Sequence, residues 1–281
     1  VDGWVATNRK NTDLKSSIMP KSSLVDTRPH DDLTGFECAG TTSVTFKGMF
    51  PIRRECPNAN VLYTADNPPL QMDLNLKGNV ALVSASTSGL GKATAKEFAR
   101  QGVHVVLNGR DEGRLADAVE EVSEVSDGEV LGVSGDLTEK ADVESLVEET
   151  LDEFGRLDHL VTNAGGPPSG SFLSMEDENW YHAFDLLVMS VVRLVRKAAD
   201  PLQADGGGTI VNITSRSVKE AIDSLVLSNS VRMSVIGLEK TLSSELAPEI
   251  RTNAVLPGPH ETARIRELIQ QGIDRGEYDS L

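Results

Sequence analysis

Residues 80–91 constrain this chain more than any other stretch. Val80-Ala81-Leu82-Val83 is a short apolar run, and residues 84–88 form a loop of small side chains. Gly89 and Gly91 then open a segment with Leu90, Ala93, Ala95, Phe98 and Ala99 at roughly helical spacing. A strand, a glycine turn and a helix N-terminus in that order build an anion site. Backbone N–H groups face outward, the helix dipole favours negative charge, and missing side chains let a pyrophosphate approach the backbone. The spacing Ala85-x-x-x-Gly89-x-Gly91 puts an alanine where such a loop has its first glycine. A tight strand–helix turn without a ligand uses glycine in the same way, so the loop has to be read with the rest of the chain.

Downstream, apolar runs and amphipathic segments alternate. Strands are expected over 103–108, 129–133, 158–162, 209–213 and 252–256. Helices are expected over 89–100, 111–125, 138–154, 176–199 and 228–246, with Thr138 able to cap the third. This order makes an α/β fold, a Rossmann-like doubly wound parallel sheet. Right-handed crossovers cover both faces with helices, and ligands bind outside the carboxyl ends of the strands.

Residues 1–71 show no such periodicity and scatter Pro20, Pro29, Pro51, Pro57, Pro68 and Pro69 among isolated apolar residues. They hold both cysteines, Cys38 and Cys56, and carry no net charge, so the whole formal charge of −16 falls on 72–281. The expected organisation is an irregular or disordered extension over 1–71 and a dinucleotide-binding domain over 72–281. Met72-Asp73-Leu74 runs directly into the first strand, which favours upstream sequence added by a mistaken start, with Met72 as the natural first residue.

The acidity argues against nucleic-acid binding, which needs basic patches to neutralise phosphates. Two cysteines make neither a disulfide framework nor a cysteine-rich zinc site, and no metal is expected. No apolar run approaches the roughly 18 residues that would span a membrane, and no charged-then-apolar leader opens the sequence. The dense Asp and Glu read either as an ordinary solvated face or as a halophile-type surface. The second is favoured, placing the protein in a salt-rich cytoplasm that screens its self-repulsion.

The loops at the expected strand ends carry the chemistry. Arg110, after the second strand, could hold a ribose 2′-phosphate where an acidic residue would select a plain ribose, which favours NADP(H) over NAD(H). A simple surface arginine is the alternative. Asp136 follows the third strand. Asn163-Ala164-Gly165 follows the fourth and lets a flat ring lie against backbone. Pro257-Gly258 follows the sixth, with Thr262 within reach of a carboxamide.

Together these pieces resemble the short-chain dehydrogenase/reductase family over roughly residues 76–270. The matching motifs are the glycine loop at 84–91, Asp136-Leu137, Asn163-Ala164-Gly165, Asn212-Ile213-Thr214-Ser215 and Pro257-Gly258. Among members the chain is most similar to those named 3-oxoacyl-carrier-protein reductases. The resemblance implies an NADP(H)-dependent oxidoreductase acting on a small carbonyl or alcohol. Ser84, Ser86, Ser88, Gly89, Leu90 and Gly91 would bind phosphate, Arg110 the 2′-phosphate, and Asp136 and Leu137 the adenine. Asn163, Ala164 and Gly165 would line the ribose and nicotinamide, with Pro257, Gly258 and Thr262 at the carboxamide.

The catalytic positions depart from the family pattern of a serine, a tyrosine thirteen residues on, a lysine four beyond it, and an asparagine in the preceding long helix. Ser215 matches the serine, whereas the tyrosine falls at Ser228, the lysine at Arg232 and the asparagine at about Leu187. The family tyrosine, ordinarily near pKa ~10, exchanges a proton once a lysine cation tunes it down. A serine hydroxyl is a far weaker acid, and arginine keeps the charge without giving up a proton. Ser228 and Arg232 would thus keep cofactor binding, with Arg232 on the nicotinamide ribose, while losing the usual acid–base step.

Ser215 either orients a carbonyl or caps a turn. Lys219 and His260 are the candidate replacement acids, His260 by its pKa, although a loop histidine bonded to water is the commoner case. Tyr181 reads as a packing residue. The chain stops 23 residues after Gly258, where members continue through a further helix and a seventh strand. The sheet is therefore expected to lack its last strand, which weakens the expectation of a homo-oligomer. Two readings stand beside the enzyme: an NADP(H)-binding sensor or partner without catalysis, and a truncated, non-functional product.

Overall fold

Val80–Val83 forms β1, four residues with almost no exposed surface, and every other strand of the main sheet is placed by reference to it. The computed structural model describes residues 36–38, 41–43, 74–274 and 276. β2 (His104–Gly109) pairs in parallel on one side of β1 and β4 (His159–Thr162) on the other, and β3 (Val130–Ser134), β5 (Gly208–Ile213) and β6 (Ile250–Val255) extend the sheet outward. The order is β3-β2-β1-β4-β5-β6, parallel throughout. The winding direction reverses between β1 and β4, and the crevice at their carboxyl ends is where a doubly wound sheet takes a ligand.

Alternation along the strands divides the core between the two faces. Val80, Leu82 and Val106 pack with α3 (Lys140–Phe154), α5 (Ser190–Gln203) and α6 (Val226–Glu245). Ala81, Val83, Val105 and Leu107 pack with α1 (Gly89–Arg100) and α2 (Glu112–Ser123). The strands read as continuous apolar runs because both faces are covered.

Three expectations need correction. The helix expected over 176–199 is α4 (Asp177–Phe184), a π turn at Asp185–Met189, and α5. Thr138 does not cap α3, whose N-cap is Glu139; its N–H and hydroxyl both donate to Asp136 instead. After Gly258 a further helix does form, α7 (Ala263–Asp274), although no strand follows β6 among the described residues.

The chain divides into two compact units, Val1–Pro68 and Pro69–Leu281. In the first, Phe36–Cys38 and Thr41–Ser43 pair antiparallel. The remaining expectations for 1–71, and that for Met72, lie outside the described residues. No helix among the described residues is long and apolar enough to cross a membrane.

Candidate cofactor and active site

The glycine loop between β1 and α1 is braced from both neighbouring strands. From β2, the buried Asn108 accepts from the Ala85 N–H at 3.2 Å and donates to the carbonyls of Val133 and Gly135. From the end of β4, Asn163 donates through Nδ2 to the Ala85 carbonyl at 3.0 Å. Ser84 ties the same strand end, accepting from the Asn163 N–H at 2.8 Å and donating to its carbonyl at 2.7 Å. Ser86 donates to the Val83 carbonyl and accepts from the Asn108 N–H.

Ser84 and Ser86 are thus fully buried and spent on bracing, so their hydroxyls do not face a phosphate as the sequence led us to expect. Ser88 and Gly89 stay exposed at the mouth of α1. A Cβ on Gly91 would lie 2.6 Å from the Ala85 carbonyl and 2.9 Å from Ser86 Cα, so only glycine allows α1 to approach the strand. Ala85 itself has φ +46°, the left-handed region that glycine normally occupies. Across the mouth, the Thr262 methyl lies 3.6 Å from where a Gly89 Cβ would be. This cradle of exposed backbone at a helix N-terminus fits a dinucleotide pyrophosphate.

On the β2 side the Thr87 methyl packs directly on Gly109, with the exposed Arg110 beside it. Arg110 is paired with Asp136 at 3.2 Å. Burial pushes the Asp136 pKa up, but hydrogen bonds from Thr138 and Arg110 outweigh it and hold the carboxyl below its ordinary value. The Leu137 side chain lies in the core, so it offers no side-chain surface to an adenine.

On the β4 and β5 side a small cavity is lined by Asn163, Ala164, Leu187, Ser190, Thr214 and Arg232, among others. The π turn carries the buried Leu187 to its wall, and π turns of this kind recur at functional sites. Arg232 Nη1 makes one long contact, 3.5 Å, with the Thr214 carbonyl, while its Nε is shielded from solvent with no partner. Burial, with the Arg264 charge adding to it, lowers the Arg232 pKa to about 10.

The three serines near this cavity hold one another. The Ser215 hydroxyl accepts from the Ser217 N–H at 3.1 Å, capping a short turn, and Ser217 Oγ lies 3.2 Å from Ser228 Oγ. Ser228 is 9% exposed, turned toward Ser217. His260 and Lys219 are exposed and outside the cavity lining, and Tyr181, expected to pack, is 73% exposed. Pro257 accepts from the Arg216 N–H, and Gly258 is open to solvent.

Two contributors escaped the sequence reading. Asn108 looked like the last residue of a strand, and only its placement between two other segments reveals the brace. Arg264 of α7 lies against Gly166 and donates to the Pro167 carbonyl at 2.6 Å, while Ser169 donates to Gln271 at 2.5 Å. These contacts hold α7 over the loop that follows β4.

A parallel sheet of order 3-2-1-4-5-6, with a glycine-braced helix N-terminus at its switch point, is the architecture of the Rossmann-like dinucleotide-binding folds. The short chain dehydrogenase family profile matches residues 79–272, and the chain belongs to that family of oxidoreductases. It is 32% identical over 210 residues to an uncharacterised oxidoreductase, YvrD of Bacillus subtilis, covering 74% of this chain and 79% of that one. It is 34% identical over 184 residues to a 3-oxoacyl-[acyl-carrier-protein] reductase of Synechocystis, covering 65% and 74%. Among solved structures, L-sorbose reductase of Gluconobacter frateurii in complex with NADPH and L-sorbose superposes with a TM-score of 0.69 at 32% identity, covering 73% of this chain and 79% of that one.

Proposed function

We propose that this protein is an NADP(H)-dependent reductase of small carbonyl compounds, working without the family's tyrosine and lysine. The observation that carries the reading is the glycine cradle with Arg110 at the adjacent strand end. A bidentate arginine suits a 2′-phosphate, and Thr87 is placed to add a hydroxyl. Backbone at 88–91 would hold the pyrophosphate, and Asp136 would face the adenine. Asn163, Ala164, Gly165, Pro257, Gly258 and Thr262 would enclose the nicotinamide end, with Arg232 at its ribose. The bound nicotinamide supplies the hydride; Ser215, whose hydroxyl proton is not used in capping its turn, would orient the substrate oxygen. The acidic surface fits a salt-rich cytoplasm. Exposed Tyr181, Phe184 and Met233 on α4 and α6 support self-association.

The test is a titration of the full chain with NADPH and NADH in high salt, followed by thermal unfolding. Stabilisation by NADPH in preference to NADH is expected, and Arg110→Ala is expected to erase that preference with a loss of about 10-fold or more in NADPH affinity. No shift with either nucleotide in a cooperatively melting protein overturns the reading. A second reading, a non-catalytic NADP(H)-binding protein, is favoured by the burial of Ser228 against Ser217. It predicts the same NADPH stabilisation with no turnover of any carbonyl.

A further inference from the structure

We infer that Arg232 forms an oxyanion site, and that the substrate is an α,β-unsaturated carbonyl compound whose conjugated double bond, not its carbonyl group, is reduced. This rests on the NADP(H) reading above and names the substrate class for the same site.

The first observation is the lack of a proton donor. Among the described residues lining the cavity, none is an acid that titrates near neutrality. Ser228 is turned to Ser217, and His260 and Lys219 lie outside on exposed loops. The second is a cation with unused donors. Guanidinium has five N–H groups, enough to meet the nicotinamide ribose and a substrate oxygen together; within the protein Arg232 makes one long contact to the Thr214 carbonyl, Nε is buried without a partner, and no described carboxylate pairs with it. In a chain with a formal charge of −16, an arginine kept from every acid in this way is held for a ligand's negative charge. Arginine does not release its proton, so its contribution is electrostatic.

These two facts select the chemistry. Hydride addition to a saturated ketone leaves an alkoxide about as basic as hydroxide, far more basic than any side chain here can leave unprotonated. Such a product needs a proton as it forms. Hydride addition to the β-carbon of an enone leaves an enolate, whose oxygen resembles a phenolate, about pKa 10. That anion can persist beside a guanidinium. In balance, the β-carbon gains the hydride, the double-bond pair moves between the α-carbon and the carbonyl carbon, and the carbonyl oxygen takes the displaced pair. The α-carbon then takes a proton from water. The substrate gains two electrons and two hydrogens, and the reduced nicotinamide is oxidised by two electrons.

The test uses the full chain with two probes. With NADP+ present, 4-nitrophenol serves as an enolate mimic whose ionised form is yellow. The expected result is bound phenolate at a pH where the free probe is largely protonated, with at least 10-fold weaker binding in Arg232→Met at NADP+ concentrations shown to saturate that variant, and partial recovery in Arg232→Lys. With NADPH deuterated at the transferred position, 2-cyclohexen-1-one is expected to give cyclohexanone labelled at C3, with cyclohexanone itself not reduced. Arg232→Met is expected to lower that turnover about 100-fold, the scale for losing an oxyanion donor. An alcohol product, or equal phenolate binding by Arg232→Met, overturns the inference. NADPH stabilisation with neither probe recognised overturns it too, while leaving the cofactor reading intact. Absence of any nucleotide-induced thermal shift removes the cofactor reading, and this inference with it.

Discussion

The two halves of the site treat their buried polar atoms differently. On the β1–β2 side, Ser84, Ser86 and Asn108 are all buried and all hydrogen-bonded, and together they tie the glycine loop to the ends of β2, β3 and β4. Among the described residues, the buried side-chain atoms without a partner are Arg232 Nε, Glu239 Oε1 and Thr252 Oγ1, and all lie on α6 and β6. There the polar chain runs from Thr162 to Asn212 at 2.5 Å and on to one Glu239 oxygen, leaving the other unmet. A satisfied network rigidifies, whereas an incomplete one holds donors and acceptors at a cost in stability. The glycine-loop side is fully bonded, whereas α6 and β6 carry unmet polar atoms, the Arg232 Nε among them, at a cost in stability.

Substitutions can break or sharpen this contrast. The largest effect is expected at Gly91→Ala, whose Cβ meets backbone at 2.6 and 2.9 Å; about 3 kcal/mol of stability should be lost, together with nucleotide binding, read by urea denaturation and by NADPH titration. Asn108→Ala should cost about 2–3 kcal/mol, because the Ala85 N–H and the Val133 and Gly135 carbonyls lose their partner. In the other half, Thr252→Val keeps the shape and removes an unmet hydroxyl, so a gain of about 1 kcal/mol is expected in the same denaturation experiment. A loss there as large as that at Asn108 would erase the contrast. The smallest effect is Ala85→Gly. Relief of left-handed strain, about 1–2 kcal/mol, is set against glycine's entropy cost of about 0.5–1 kcal/mol. The melting temperature should therefore rise slightly.

The strand–loop–helix around β1 was legible in the sequence because its signals are local: an apolar run, two glycines, and apolar residues at helical spacing. The order of strands and helices followed from the same periodicity. What the chain did not disclose depends on contacts between distant segments. Asn108 braces a loop 23 residues earlier and a carbonyl 27 residues later, and nothing in its own neighbourhood marks it. The π turn at Asp185–Met189 inserts one residue into what reads as continuous helical periodicity, and only the backbone hydrogen-bond pattern, with the Ser190 N–H donating to the Asp185 carbonyl five residues earlier, reveals it. Ser84 and Ser86 had the right residue type for phosphate contact, but their burial decided otherwise. The spacing singled out Ser228 and Arg232 as departures from the family pattern, but it could not reveal that one is occupied by Ser217 while the other keeps unused donors.

The bond between Ser84 and Asn163 spans 79 residues, and Ser169 reaches Gln271 across 102. Closing such spans costs chain entropy before any contact returns it, so a chain emerging during synthesis has the glycine loop's sequence long before it has the loop's shape. The brace from Asn163 exists only after β4 has docked beside β1, and the Thr262 wall only after β6 and its following loop are in place. Parallel sheets assembled from such remote pieces fold slowly. Nucleotide added to a refolding chain should therefore leave the early rates unchanged and act at the last step, drawing the finished protein out of the equilibrium by mass action.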